Sequence, residues 1–133
     1  MNVENSLAEW LRLAEMDLAT AHHMFETYHP KPLEIVCFHA QQAAEKMLKA
    51  FLISHSIEPP KTHDMQVLCE MCVECDARIN DVYEPAVLLS RYAVMPRYPA
   101  EIEILEHDAV SAIIHTDTVV EFIKGIITRR QKR

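Results

Sequence analysis

Hydrophobic residues near the start of the chain recur at alternating steps of four and three. This spacing keeps one stripe of a helix facing a partner helix. The stretch starts near Ser6, which forms a capping box with Glu9, and ends at residues 29–32, where two prolines occur. Its inner positions are Leu7, Leu11, Ala14, Leu18, Ala21 and Phe25. The pattern predicts a first long amphipathic helix.

A second helix is predicted from about Pro32 to Ser54, because proline suits the first turn of a helix. Its inner face consists of Val36, Ala40, Ala43, Met47 and Phe51. Phe38 and Ile53 fall on the other side, among polar residues. A helix that is apolar on two faces packs on two sides. The second side is therefore expected to contact another helix of the fold or another copy of the chain.

Two shorter helices are predicted in the middle of the chain. Residues 58–61 break the second helix, and a residue within 62–64 can cap a third helix that runs to about Cys75. A fourth helix is predicted from about residue 81 to 94. Pro85 must start or kink this segment, because proline cannot donate to the helical ladder.

A rigid turn at residues 95–99 precedes a last long helix, predicted from about Glu106 to Arg129. The inner stripe of that helix is Ala109, Ile113, Thr116, Val120, Ile123 and Ile127. The chain has a single glycine, which argues against a β-fold that needs glycine in turns and bulges. We therefore predict one all-α domain over residues 1–133, an antiparallel up-and-down bundle of four to five helices.

The formal charge of −7 is unevenly distributed. Four of the 13 basic residues crowd the last five positions, so nine basic residues face 20 acidic ones in the body, which leaves it at −11. A general nucleic-acid binder has an excess of Lys and Arg, which this chain lacks. The acidic body, residues 1–128, suggests a basic protein partner or a local phosphate site. The basic tail, residues 129–133, is interpreted as a solvated chain end. Because the sequence contains neither a membrane-spanning run nor a signal-peptide pattern, we expect a cytoplasmic protein.

A polar stripe on the predicted second helix is the first candidate site. His39, Gln42, Lys46 and Lys49 fall within an arc of about 80°, and Glu45 lies at its edge. These side chains are suitable partners for a phosphate or a nucleotide. The alternative is a solvated helix face with an ordinary ion pair between Glu45 and Lys49.

The start of the predicted third helix is the second candidate. A helix N-terminus favours anions, and Lys61 and His63 would strengthen that preference. The alternative is a plain N-cap by Thr62 or Asp64, which leaves Lys61 and His63 unexplained.

The third candidate combines arginine with tyrosine, at Arg91-Tyr92 and at Arg97-Tyr98. Arginine binds phosphate bidentately, and tyrosine can stack on a base. The alternative is a helix-ending turn with exposed arginines and a tyrosine packed against the bundle.

Three motifs of this sequence resemble, in order, those of HEPN domains. They are HAQQAAEK at 39–46 with KA at 49–50, KTHD at 61–64, and RYP at 97–99 after an amphipathic helix that ends in YA at 92–93. The resemblance covers roughly residues 5 to 127. It implies a bundle of four or five helices, a homodimer, a minimal nucleotidyltransferase as partner, and a cleft that takes nucleotide or RNA. By position it gives the candidate ligand-binding residues His39, Gln42, Lys46, Lys49, Lys61, His63, Asp64, Arg97 and Tyr98, beside which Glu45 and Tyr92 stand as further candidates.

The sequence departs from the ribonuclease members of this family, in which four to six residues separate an arginine from a histidine. Here nine residues separate Arg97 from His107. We therefore favour a binding module that pairs with the nucleotidyltransferase in a toxin–antitoxin-like or regulatory system. The alternative is a metal-independent endoribonuclease that would use His63 or His107 as general base and Arg97 as phosphate clamp. A structural partner subunit is a third hypothesis.

Cys69, Cys72 and Cys75 have a spacing that metal ligation also uses, with Cys37 or His63 as a fourth ligand. Free cysteine is also a common buried residue in reduced compartments. We interpret the three as core residues and expect neither a metal nor another cofactor.

Overall fold

The computed structural model describes residues 3–94 and 103–131, and the side chains from Ser6 onward within these ranges. The α-helices are α1 (Val3–Thr27), α2 (Leu33–Ser54), α3 (Met65–Cys75), α4 (Tyr83–Leu88) and α5 (Glu106–Gln131). The described ranges contain no β-strand, and none of their helices is long and apolar enough to cross a membrane. The prediction of an all-α bundle is confirmed.

Helix α2 is the central element of the bundle. It packs against α1 along nearly its whole length, against α5 on another side, and against α3 on a third. All five residues of its predicted inner face are buried. Burial extends round most of the helix, and the largest fully buried side chains of α2 are Phe51, Met47, Leu48 and Leu52. A helix enclosed on three sides leaves only a narrow strip for solvent.

Helix α1 begins at Val3, so Ser6 lies inside its first turns and the prediction of a helix start near Ser6 is wrong. The predicted stripe faces α2, but its members are unequally buried. Leu7, Ala14 and Ala21 are buried, whereas Leu11, Leu18 and Phe25 are only half-buried. Because the alanines are small, the axes of α1 and α2 can approach closely at these positions.

The end of α2 turns the chain back sharply. The Ser56 N–H donates to the carbonyl of Ile53 (2.8 Å) and the Ile57 N–H to that of Leu52 (2.9 Å). These two bonds form a Schellman motif, and Ser56 occupies its left-handed position with φ of 60°. The connection that follows runs back beside α2, which places residues 57–63 next to the polar residues of that helix.

The middle of the chain differs from the prediction of one helix from residue 81 to 94. A 3₁₀ helix over Ala77–Val82 precedes α4, and another over Leu89–Tyr92 follows it. Pro85 lies in the first turn of α4 and has no N–H to donate to the carbonyl of residue 81. Continuous α-helical pairing therefore cannot extend upstream through Pro85.

Polar contacts between α1 and α5 supplement a small area of packing. His22 Nε2 lies 2.8 Å from an oxygen of Asp117, and Lys124 Nζ lies 2.7 Å from an oxygen of Glu15. The Asp117 contact raises the pKa of His22 above its ordinary value, with a smaller contribution from Glu26, and partial burial opposes the increase. Protonated His22 thus joins the two helices at one end of the bundle.

The raised pKa of His22 predicts a pH-dependent contribution to stability. A group whose pKa is higher in the folded state stabilises the fold fully below its unfolded pKa, and the contribution is lost as pH rises through the folded pKa. We expect Asp117→Asn to lower the free energy of unfolding by less than about 1 kcal/mol, and by more near pH ~5 than near pH ~8. Urea unfolding across this range measures the difference, and Glu121→Gln is the control. Equal losses at both ends of the range would contradict the assignment.

Candidate functional site

Two buried carboxylates organise the polar residues of α2. The first is Asp17 of α1, which lies between two side chains of α2 that are two helical turns apart. One oxygen of Asp17 is 2.8 Å from Nδ1 of His39, and the other accepts a hydrogen bond from Lys46 Nζ at 2.5 Å. An ionised carboxylate can only accept. The contact therefore places a proton on Nδ1 of His39 and fixes the orientation of the ring.

The second carboxylate is Glu45, which is only 2% exposed. Its oxygens accept hydrogen bonds from Lys49 Nζ (3.1 Å) and from the Gln41 amide (3.0 Å). Nδ1 of His63 lies within 2.9 and 3.1 Å of the two oxygens, although the His63 side chain itself is 64% exposed. The Gln42 amide extends this set of contacts by donating to the Gln41 carbonyl oxygen at 2.8 Å.

These contacts form one polar network, defined here as Asp17, His39, Gln41, Gln42, Glu45, Lys46, Lys49 and His63. Its two carboxylates balance its two ammonium groups, so the network is neutral when both histidines are neutral. Burial of a carboxylate is costly unless cations and hydrogen-bond donors surround it. The sequence also allowed a solvated helix face with an ordinary ion pair between Glu45 and Lys49. That ion pair is present, but it is buried.

A pocket of about 480 Å³ adjoins the network where α2 ends. It lies between the first turns of α1 and the connection from α2 to α3. Lys49 reaches it from the network, with its Nζ 5.6 Å from the centre of the Trp10 ring, and Lys61 lines it from the connection. The network and the pocket therefore share one lysine.

The structure brings together most of the predicted site residues. His39, Gln42, Glu45, Lys46, Lys49 and His63 all belong to the network, and Lys61 lines the adjoining pocket. Asp64 instead caps α3, because its carboxylate accepts from the N–H groups of Gln66 and Val67. Arg97 and Tyr98 lie outside the described residues.

Tyr92 lies apart from the network. It is 7% exposed and lies beside Cys37 of α2. Cys37 and His39 are two residues apart on α2, which places them on opposite sides of the helix. Burial is the main cause that raises the pKa of Tyr92. In this position Tyr92 packs against the bundle. This is the alternative to base stacking that the sequence allowed for the arginine–tyrosine pairs.

Sequence reasoning missed Asp17, Gln41 and Trp10. A signal for Asp17 exists, because it follows Ala14 by three residues and precedes Ala21 by four. Asp17 thus occupies a buried position of the α1 stripe. A carboxylate at such a position needs a cationic partner on the facing helix.

The cysteines of α3 contribute to packing. Cys69 and Cys72 are buried, and the Cys72 thiol donates to the carbonyl of Leu48 at 3.5 Å. Burial raises the pKa of Cys69 to about 12 and that of Cys72 still further. Within 3–94 and 103–131, no three ligand side chains converge on a common metal position.

The fold and the network define a small all-helical domain in which a central helix carries buried charges. The family model described as HEPN domain matches residues 7–126, and the chain belongs to this family. A crystal structure of an archaeal HEPN homologue is similar, with a TM-score of 0.68 and 25% identity over 91% of this chain and 97% of that chain. Comparison with curated proteins gives no match. The resemblance that the three motifs indicated is thereby confirmed.

The Asp17–Lys46 pair is predicted to couple α1 to α2 energetically. We expect Asp17→Ala to destabilise the fold by about 2 kcal/mol, because it leaves the Lys46 ammonium and the His39 ring without their acceptor. The double variant with Lys46→Ala should lose clearly less than the sum of the two single variants. Urea unfolding of the four proteins measures the coupling. The exposed pair Glu15–Lys124 is the matched control and should couple by less than about 1 kcal/mol. Additive losses at Asp17 and Lys46 would contradict the prediction.

Proposed function

We propose that this HEPN domain is a nucleotide-binding module that acts in the cytoplasm as a homodimer and pairs with a nucleotidyltransferase. The observation that carries nucleotide binding is the exposure of two donors, Lys61 and His63, which are two residues apart on the α2–α3 connection. His63 is held through Nδ1 by Glu45, which leaves Nε2 for a ligand. Lys61 is exposed and has no carboxylate partner among the described residues. The two groups can bind a phosphate without competing with Asp17 or Glu45.

The proposed homodimer is supported by apolar surface on the narrow open strip of α2. Phe38 and Ile53 are half-buried within the single chain, so both leave carbon surface that a second copy can cover. The proposed nucleotidyltransferase partner is supported by charge. A body at −11 favours association with a protein that has a basic surface.

The contact between Glu45 and His63 favours a second candidate function, endoribonuclease activity. A buried carboxylate that fixes an imidazole through Nδ1 directs Nε2 outward, which is the arrangement of a general base. His107 is exposed and lies 3.5 Å from Asp108. His107 therefore has an acidic neighbour but no buried carboxylate to orient it as His63 has. His63 is the better base of the two.

Nucleotide binding is tested by calorimetry of the full chain with ATP and GTP. We expect Lys61→Ala to weaken binding about tenfold, because one charge-assisted hydrogen bond is lost. Lys124→Ala removes the same charge from α5 and should leave the affinity unchanged. Lys46→Ala is unsuitable as a first test because it also removes the partner of Asp17. No heat with either nucleotide for the wild-type chain would contradict the proposal and favour a module that acts only through protein partners.

Ribonuclease activity is tested on short single-stranded RNA with the wild-type chain and with the variants His63→Gln and His23→Gln. Because the arginine–histidine spacing of the ribonucleases is absent, we expect no cleavage by the wild-type chain. If cleavage occurs, is abolished by His63→Gln and survives His23→Gln with helicity intact, the enzyme hypothesis replaces that of a binding module. Gel analysis of labelled RNA and circular dichroism provide the two measurements.

A further inference from the structure

The pocket beside Lys49 has the chemistry of a ligand site rather than of a packing defect. Its volume of about 480 Å³ lies within the range of small-molecule sites. Trp10 contributes an aromatic surface from α1, and Ile57 and Pro59 contribute apolar surface from the connection. Lys61 adds a cation, and Lys49 adds a second one that is paired with Glu45. The lining thus combines a flat apolar surface with positive charge at close range.

The backbone keeps this pocket open. The Schellman motif at Ser56 directs the connection back toward α1, and two consecutive prolines, Pro59 and Pro60, follow. Proline has a fixed φ and restricts the residue before it to extended conformations. The wall of the pocket is therefore stiff and cannot easily collapse onto Trp10.

Trp10 is placed to stack on a planar ring. The side chain is half-buried, and its ring lies 5.6 Å from the Lys49 ammonium, which Glu45 holds in position from the other side. Stacking on an aromatic side chain is favourable for every base because each base has a π-face. Glu58 also lines the pocket, and a carboxylate there can accept hydrogen bonds from ribose hydroxyls.

The charge of the chain selects a small ligand over a polynucleotide. RNA affinity depends on many phosphate contacts made by Lys and Arg, and only two lysines line this pocket. The formal charge of −7 repels a long polyanion. A single nucleotide carries few charges, and Lys61 at the connection can neutralise part of its phosphate without drawing Lys49 away from Glu45.

We propose that this pocket is the base and phosphate site of a mononucleotide, with Trp10 stacked on the base and Lys61 bound to the phosphate. This inference rests on the proposed nucleotide-binding function and specifies the ligand class and the location. Because stacking does not distinguish bases, purine and pyrimidine mononucleotides should bind with affinities within a few-fold of one another.

Trp10 is the only tryptophan of the chain, so its fluorescence reports on this pocket alone. The full chain is titrated with AMP, UMP, adenosine, inorganic phosphate and a short RNA, and binding is followed in parallel by fluorescence and by calorimetry. We expect AMP and UMP to change the Trp10 emission at the concentrations at which heat is released. Adenosine and phosphate should each bind at least about tenfold more weakly, because each lacks one half of the recognised group.

Variants locate the site independently of the fluorescence signal. Trp10→Leu should weaken AMP binding at least about tenfold, and Trp10→Phe should retain most of the affinity because it keeps an aromatic face. Lys61→Ala should weaken AMP but not adenosine, whereas Lys124→Ala should change neither. If Trp10→Leu fails to fold, Lys61→Ala and the Trp10 emission of the wild-type chain keep the test decisive.

The outcomes separate this inference from the proposed function. Heat of nucleotide binding without a fluorescence change, and unaltered in Lys61→Ala, would place the nucleotide elsewhere and overturn the pocket while nucleotide binding stands. Absence of heat with every ligand would overturn both. Tighter binding of RNA than of AMP would overturn the mononucleotide assignment, and equal binding of phosphate and AMP would overturn stacking on Trp10.

Discussion

The structure depends on the burial of two carboxylates, Asp17 and Glu45, against the central helix. A helix as apolar as α2 offers many nearly equivalent packing registers to its neighbours, since carbon contacts are not directional. A buried carboxylate is directional and costly when left without partners. Asp17 therefore fixes α1 at the one register in which His39 and Lys46 both reach it. Glu45 does the same for the α2–α3 connection through His63.

The same constraint decides which residues remain available for a ligand. Lys46 is engaged by Asp17 and Lys49 by Glu45, so neither ammonium is free to neutralise a phosphate without disturbing the network. Lys61 lies on a segment that the end of α2 directs back along the helix. The cation without a carboxylate partner thus lies near the C-terminal end of α2 rather than at its middle.

The helices and the family could be predicted from sequence because both depend on local patterns. Apolar spacing is sufficient to predict α1, α2 and α5. The three motifs indicate the family because they occur in the order in which HEPN domains have them. The contact of Asp17 with Lys46 could not be predicted in this way, since the two positions are 29 apart in the sequence and no local pattern expresses the pairing. The 3₁₀ helices around α4 were missed because hydrophobic spacing indicates burial but does not distinguish 3₁₀ from α-helical hydrogen bonding.

The network also changes the interpretation of the first motif, HAQQAAEK at 39–46. Four of its polar residues, Gln41, Gln42, Glu45 and Lys46, have structural partners within the chain, so the packing of buried charges alone accounts for them. A sequence motif rich in donors is therefore weak support for a ligand on the same helix. The packing of buried charges does not account for Lys61, which is exposed and has no carboxylate partner among the described residues, whereas Trp10 packs partly against the core. The support for a ligand therefore rests on Lys61 and on the pocket that Lys61 and Trp10 both line at the end of α2.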